Sequence, residues 1–303
     1  KEISMTGYLP LETLLSSTLG AMTPLLLASL GGLFTELAGT LNIALEGLIL
    51  LGAFAAAVGA QPTGSLALGM LAGAGASGLL ALAFGLSTLR LKTNPFISGL
   101  ATNLFAAGFV ALLSRHFFGT SSVLGFQLPP VAAPLSSSTG SVPLFGPVLF
   151  SQTWITYLSW ALAFLAWVIL QRTILGIRIR ATGTNPQAVI ISGYSPDGYQ
   201  LTAFIASGIA CGLAGASLSL PLSAYVPQMS AGRGWIALVA IFLGRRKPVG
   251  IVAACFVFAL AESYSNYAQG VFRIPTEIIL AIPYLATLAA LILGTASSRI
   301  RDR

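Results

Sequence analysis

Apolar runs long enough, or nearly so, to cross the roughly 30 Å hydrocarbon layer of a bilayer recur along the whole chain. They cover residues 11–32, 42–60, 65–89, 95–118, 153–170, 201–220, 234–244, 248–269 and 277–294, the seventh being weak and the stretch 34–40 irregular. Only 8% of the residues are charged, against about a quarter in a soluble domain. The expectation is an all-α, polytopic membrane protein. It forms one domain over residues 1–303 with about nine transmembrane helices, some of them discontinuous. The 33 glycines suit close helix packing in lipid.

Basic residues orient the chain. Arg90, Lys92, Arg172, Arg178, Arg180, Arg245, Arg246, Lys247, Arg299, Arg301 and Arg303, eleven of the fifteen Lys and Arg, fall on one side. Lys1, Arg115, Arg233 and Arg273 fall on the other. Positive charge marks the cytoplasmic side. The C-terminus is then inside and, with nine crossings, the N-terminus outside. Residues 119–152, with Pro129, Pro130, Pro134, Pro143 and Pro147, form an external loop that can hold a short helix, and residues 172–200 form a cytoplasmic loop. The net charge of +7 follows the membrane and gives no signal for nucleic acid. The start KEISMTGYLP has one basic residue and no apolar run, so it does not look like a secretory signal. Cys211 and Cys255 lie in apolar segments and are expected to pack.

The cytoplasmic loop holds a short helix signal. Asn185 suits an N-cap, Pro186 the first turn and Gly193 the stop. The helix between them is about seven residues and unstable alone in water. Yet after Gln187 and Ala188 it carries Val189, Ile190 and Ile191. Something must cover that face: either the membrane domain itself, or a soluble partner that moves the membrane helices through it.

Two segments echo each other. Residues 38–45 and 231–238 both read AGxxxIAL and, by the topology above, run in opposite directions. Inverted repeats with short or Gly-interrupted segments point to the substrate path in transporters. Polar groups at membrane depth are the other clue, because each is costly unless satisfied. Asn42 and Glu46 lie one turn apart, Thr102 and Asn103 sit mid-run, and Glu262 shares a face with Asn266. Trp235 occupies the position of Asn42 in the echo. These seven are the candidate pathway residues. Asn42, Asn103 and Trp235 favour solute contact, whereas Glu46 and Glu262 equally suit bonding to neighbouring helices.

Enzyme chemistry has little to work with. There is no GxxxxGK[ST] loop, and the only lysines are Lys1, Lys92 and Lys247. Any nucleotide hydrolysis belongs to another chain. The single histidine, His116, sits beside Arg115 at a helix end, and no metal-ligand spacing exists, so no metal or cofactor is expected in this chain.

Three stretches together resemble one known family. FTELAGTLNIALEGLILLGAF at 34–54 is similar to an ERAGxxNIGLEG signature. Residues 180–216 resemble an RAxGxNPxAA…AGLAGA region, and AGRGWIALVAIFLGRRKPVG at 231–250 resembles a GxGFxAIAVALLGRxNPxG block. These are features of the permease subunits of ABC importers for branched-chain amino acids, simple sugars and nucleosides. Thr35, Glu36 and the run Gln187-Ala188-Val189 depart from the common pattern. The resemblance implies a bacterial inner-membrane assembly. A second, paralogous permease completes the pathway, ATPase subunits using ATP and Mg drive it from the cytoplasm, and an external substrate-binding lipoprotein delivers solute. Residues 185–193 become the coupling helix seated in the ATPase. The solute expected is a nucleoside-like heterocycle, with Trp235 contacting its ring. Riboflavin competes, and simple sugars and branched-chain amino acids rank behind. An ion-coupled secondary transporter is the rival from another class, resting on Glu46 and Glu262. A membrane enzyme lacks a catalytic cluster.

Overall fold

The computed structural model describes residues 11–135 and 146–271. The apolar run 277–294 lies outside the described residues. Ten helices follow in order: α1 (Leu11–Leu37), α2 (Leu45–Ala60), α3 (Leu66–Leu89), α4 (Pro95–Phe118), α5 (Trp154–Arg172), α6 (Ile174–Thr184), α7 (Pro186–Ile191), α8 (Pro196–Leu222), α9 (Arg233–Leu243) and α10 (Pro248–Val271). In the loop after α4, the expected short helix is a π-helical turn at Gly146–Phe150. The same loop contributes Leu124–Gly125, a strand paired antiparallel with Ala224–Tyr225 beyond α8. These strands are β1 and β2.

Local signals explain the ends. Asn94 caps α4 by accepting from the Phe96 N–H at 2.9 Å, and Pro95 opens the first turn. Gly119 closes it at φ +71°. Ser195 and Pro196 do the same work at the start of α8.

Of the roughly nine expected crossings, the described residues show six at full length. Six helices are long and apolar enough to span a membrane: α1, α3, α4, α5, α8 and α10. α2 has 16 residues and α9 has 11, or about 24 and 16 Å at 1.5 Å per residue. Neither helix spans the layer alone. The runs 42–60 and 234–244 look like crossings because apolar residues continue through backbone that is not helical. Conversely, α1 continues to Leu37, through part of the stretch expected to be irregular.

Glycine sets how the helices stack. α3 runs antiparallel to both α2 and α8, and all three meet along a seam of small residues. Gly52 faces Gly212 and Ser77, Gly73 faces the Gly52 carbonyl, Gly208 faces Ala81, and Gly215 faces Ile49 and Ala53. Ser77 seals the seam by donating to the Leu48 carbonyl at 2.8 Å. Association in lipid lacks the drive that water gives, so close backbone approach supplies it instead. Replacing Gly212 by Val drives a side chain into the Gly73 carbonyl. Overpacking of this kind costs about 1–3 kcal/mol or more, so we expect a clear fall in the thermal midpoint of the detergent-purified protein. Gly75→Ala, whose Cβ meets nothing within 4 Å, should leave the midpoint unchanged.

α1 sits at the centre. Leu25, Leu26, Leu27, Ala28 and Leu33 are all buried. One side packs on α5, α9 and α10 through Leu170, Ile241, Ile251 and Phe258. Another packs on α2 and α8 through Leu45, Leu48 and Phe204. A helix that is apolar all round is a buried one.

Candidate functional site

Pairing places the ends of α1 and α3, the beginning of α8 and the α9–α10 turn at one end of the bundle, with Arg90, Lys92 and Arg245–Lys247 nearby. Glu36 at the end of α1 pairs with Arg246 at 2.8 Å. From this basic end α9 rises about 16 Å, roughly half of the hydrocarbon thickness. α2 descends from the opposite end. Their N-termini therefore meet inside the layer.

A helix N-terminus leaves backbone N–H groups unsatisfied, and no water reaches them in lipid. Three side chains meet that demand here. Asn42 accepts from the Ala44 N–H at 2.9 Å and donates to the Ser207 hydroxyl of α8 at 2.8 Å. Asn103 of α4 accepts from the Gly47 N–H at 2.7 Å and donates to the Ile43 carbonyl at 2.9 Å. Glu46 reaches across to α9: one carboxylate oxygen accepts from the Gly232 N–H and the other from the Gly234 N–H, each at 2.8 Å. The carboxylate thus lies between two helix N-termini, where both dipoles favour negative charge. Gly234 packs against the Glu46 backbone with no room for a Cβ.

The sequence echo is also an echo of conformation. Gly39 and Gly232, its matching glycines, both adopt φ +80°. The connection feeding α9 holds three non-glycine residues in the left-handed region as well: Ser223, Gln228 and Ala231. Such positions cost of order 1–3 kcal/mol each and collect where structure switches.

Arg233 and Glu262 form the second charged element. An Nη of Arg233 pairs with a Glu262 oxygen at 2.5 Å, and the other Nη donates to the Met229 carbonyl at 3.1 Å. The Arg233 Nε is buried with no hydrogen-bond partner. Arg233 sits half-buried at the start of α9. The available signal was Glu262, fourteen residues into α10, which needs a cation at that depth.

The remaining candidates are placed differently. Trp235 is 40% exposed, on the open face of α9 with Phe242 two turns on. Thr102 donates back to the Ser98 carbonyl at 2.7 Å and lines a cavity between α3 and α4. Asn266 is exposed on α10, one turn beyond Glu262. The site therefore gathers Asn42, Glu46 and Asn103, with Arg233 and Glu262 beside them. Among the described residues no three His, Cys, Asp or Glu could hold a metal ion.

The 172–200 stretch folds as α6, α7 and the start of α8. The Asn185 side chain accepts from the Ala188 N–H at 3.2 Å, and Gly193 turns at φ +82°. Its apolar face divides: Val189 is 5% exposed, Ile190 53% and Ile191 85%. The membrane domain covers the first and leaves the other two open; Gln187 and Ala188 are open too. Arg178 braces the unit, donating to the Tyr194 hydroxyl at 2.6 Å and the Tyr199 hydroxyl at 3.1 Å. Its guanidinium lies 3.8 Å from the Tyr194 ring centre. The same unit touches the α1–α2 break: Gln200 donates to the Ala38 carbonyl at 3.1 Å, and Gly183 abuts Gly39.

Six full-length apolar helices, with two shorter ones whose N-termini meet inside the bundle, define a multi-pass membrane protein of the construction that transporters use. The family described as "Branched-chain amino acid transport system / permease component" matches residues 14–293. The chain belongs to this permease family. It is 30% identical to the nucleoside ABC transporter permease protein NupC of Lactococcus lactis, over 94% of each chain. It is 30% identical to the guanosine ABC transporter permease protein NupQ of Bacillus subtilis, over 93% of this chain and 91% of that one. TsgC13 of Haloferax volcanii, named provisionally as a glucose ABC transporter permease, is 31% identical over 95% of this chain and 94% of its own. No solved structure matches the chain.

Proposed function

We propose that the chain is the membrane subunit of an ATP-driven importer and that its solute is a nucleoside. One observation carries the mechanism: the exposed Ile190–Ile191 pair belongs to a braced unit that also grips the α1–α2 break. A cytoplasmic ATPase seated on that pair moves α6 and α8 together. The displacement reaches Gly39 and Ala38 directly, and Asn42 and Glu46 within two turns. Glu46 passes it to the N-terminus of α9. ATP and Mg belong to the ATPase; this chain needs neither metal nor cofactor. A second permease, a paralogue, and an external binding lipoprotein complete the assembly. The N-terminus is outside and the C-terminus cytoplasmic.

Non-helical backbone at membrane depth is tolerated only inside protein or along a water-filled cavity. The open face carrying Ala231 and Trp235 therefore borders the pathway, where the indole can stack on a base. The names of NupC and NupQ support a nucleoside. A simple sugar is the second reading, favoured by the likeness to TsgC13. The ion-coupled alternative has less support, because Glu46 is engaged by two backbone N–H groups and Glu262 by Arg233.

The test is uptake by liposomes holding the complete assembly. ATP-dependent accumulation of radiolabelled guanosine, with no accumulation of glucose, is expected. Uptake by this chain alone under an ion gradient, without ATP, overturns the reading. Within the working assembly, Asn42→Ala should reduce uptake roughly tenfold, the scale of one or two lost buried hydrogen bonds at about 1 kcal/mol each, while co-purification of the subunits stays intact. Normal uptake returns Asn42 to a purely structural role.

A further inference from the structure

α4 packs on the rest of the bundle along one face, through Gly99, Asn103, Ala106 and Val110, the last in the core with Leu50, Phe54 and Phe126. Elsewhere it stands off from α3 and leaves a cleft. The larger part of the cleft is a cavity of about 660 Å³ bounded by α2, α3 and α4. Its fourteen lining residues, Leu80, Phe105 and Phe109 among them, include no hydroxyl, amide or charge. A second cavity of about 360 Å³ continues it, sharing Leu80, Ala83 and Phe105. This one ends at the hydroxyl-bearing residues Ser87, Ser98 and Thr102. The α3–α4 turn closes that end. Ser98 donates to the Thr93 hydroxyl at 2.7 Å, and Thr93 donates to the Ser87 carbonyl at 3.0 Å. The turn carries Arg90 and Lys92, both exposed, and neither forms an ion pair among the described residues.

A long apolar slot with a hydroxyl-lined mouth and two uncompensated cations has the polarity of one kind of molecule. A polar solute finds no hydrogen-bond partner along the slot. A neutral lipid leaves the cations unanswered. We infer that the α3–α4 cleft is a binding site for an anionic glycerophospholipid, with one acyl chain between Leu80 and Phe109 and its phosphate at Arg90 and Lys92. The lipid fills the gap between α3 and α4, and α4 carries Asn103, which accepts from the first turn of α2. This inference needs only the membrane setting and does not depend on which solute is moved.

The test places the full chain in nanodiscs with either phosphatidylglycerol or phosphatidylcholine bearing a diazirine on one acyl chain. After illumination, peptides are mapped by mass spectrometry. Phosphatidylglycerol should label the segments around Leu80 and Phe105–Phe109, and exceed phosphatidylcholine by on the order of tenfold, the scale set by two cations near an anionic surface. Arg90→Gln with Lys92→Gln should remove that preference. Ala76→Phe, which fills the larger cavity from α3, should block labelling from both lipids while the cations remain. Equal labelling by the two headgroups, or labelling indifferent to the double substitution, overturns the proposal. So does a cleft that takes no lipid label and instead cross-links to a second polypeptide.

Discussion

Ile191→Asp should detach the ATPase while leaving the chain in the membrane. Ile191 is the most exposed member of α7 at 85%, and Ile190 beside it is 53% exposed. Neither is needed to hold α7 in place, because Val189 is the buried anchor and Arg178 braces the following turn through Tyr194 and Tyr199. A carboxylate at either isoleucine must be desolvated when an apolar groove closes over it. Apolar residues at the centre of an interface are worth about 2 kcal/mol or more, roughly thirtyfold in affinity, and the buried charge adds to that. The expected result for Ile190→Asp and for Ile191→Asp is loss of the ATPase from the affinity-purified complex at unchanged membrane yield. Val189→Asp should behave differently, lowering the yield of the chain itself. Recovery of a complete complex from both isoleucine variants would falsify the assignment of α7 as the docking element.

The second large effect belongs to Glu46. Its two oxygens are the acceptors for the Gly232 and Gly234 N–H groups. Glu46→Ala strands both donors at membrane depth, at about 1–3 kcal/mol each. Glu46→Gln keeps one acceptor but turns an amide NH₂ toward the other N–H, so its cost falls between wild type and alanine. We expect the thermal midpoints of the purified protein to rank in that order. Uptake by the alanine variant should drop to background. If Glu46→Gln proves as stable and active as wild type, the carboxylate is not the tie between the half-helices, and α9 is held by Arg233 and Glu262 alone.

The sequence carried the long spans and the short helix α7 clearly, for local reasons. Apolar runs, N-caps such as Asn94 and Asn185, and stops such as Gly193 act within a few residues of themselves. The breaks were harder. An unbroken apolar run at 42–60 conceals that Asn42–Ala44 is not helical, since composition does not report φ and ψ. The polar residues Asn42, Glu46 and Asn103 are recognisable as unusual, but their partners, mostly backbone groups, lie up to 188 positions away. A sequence shows which side chains need partners and not which main-chain N–H groups will be stranded. Arg233 offered only its charge to a sequence reading, and its ion pair with Glu262 depends on a contact 29 positions away. The split of α7 into a buried Val189 and open isoleucines likewise depends on how α7 packs on α6 and α8, which local sequence does not report.

The small β1–β2 ribbon has a mechanical meaning. It joins the long loop after α4 to the connection that feeds α9, and the Phe126 N–H reinforces it by donating to the Ser223 carbonyl at 2.8 Å. At the far end of α8, Gln200 holds the α1–α2 break. The carboxylate of Glu46 therefore has a handle at each end of the molecule. A load on the loop after α4 and a load at α7 converge on the same tie rod, so each can be sensed by the other through that carboxylate.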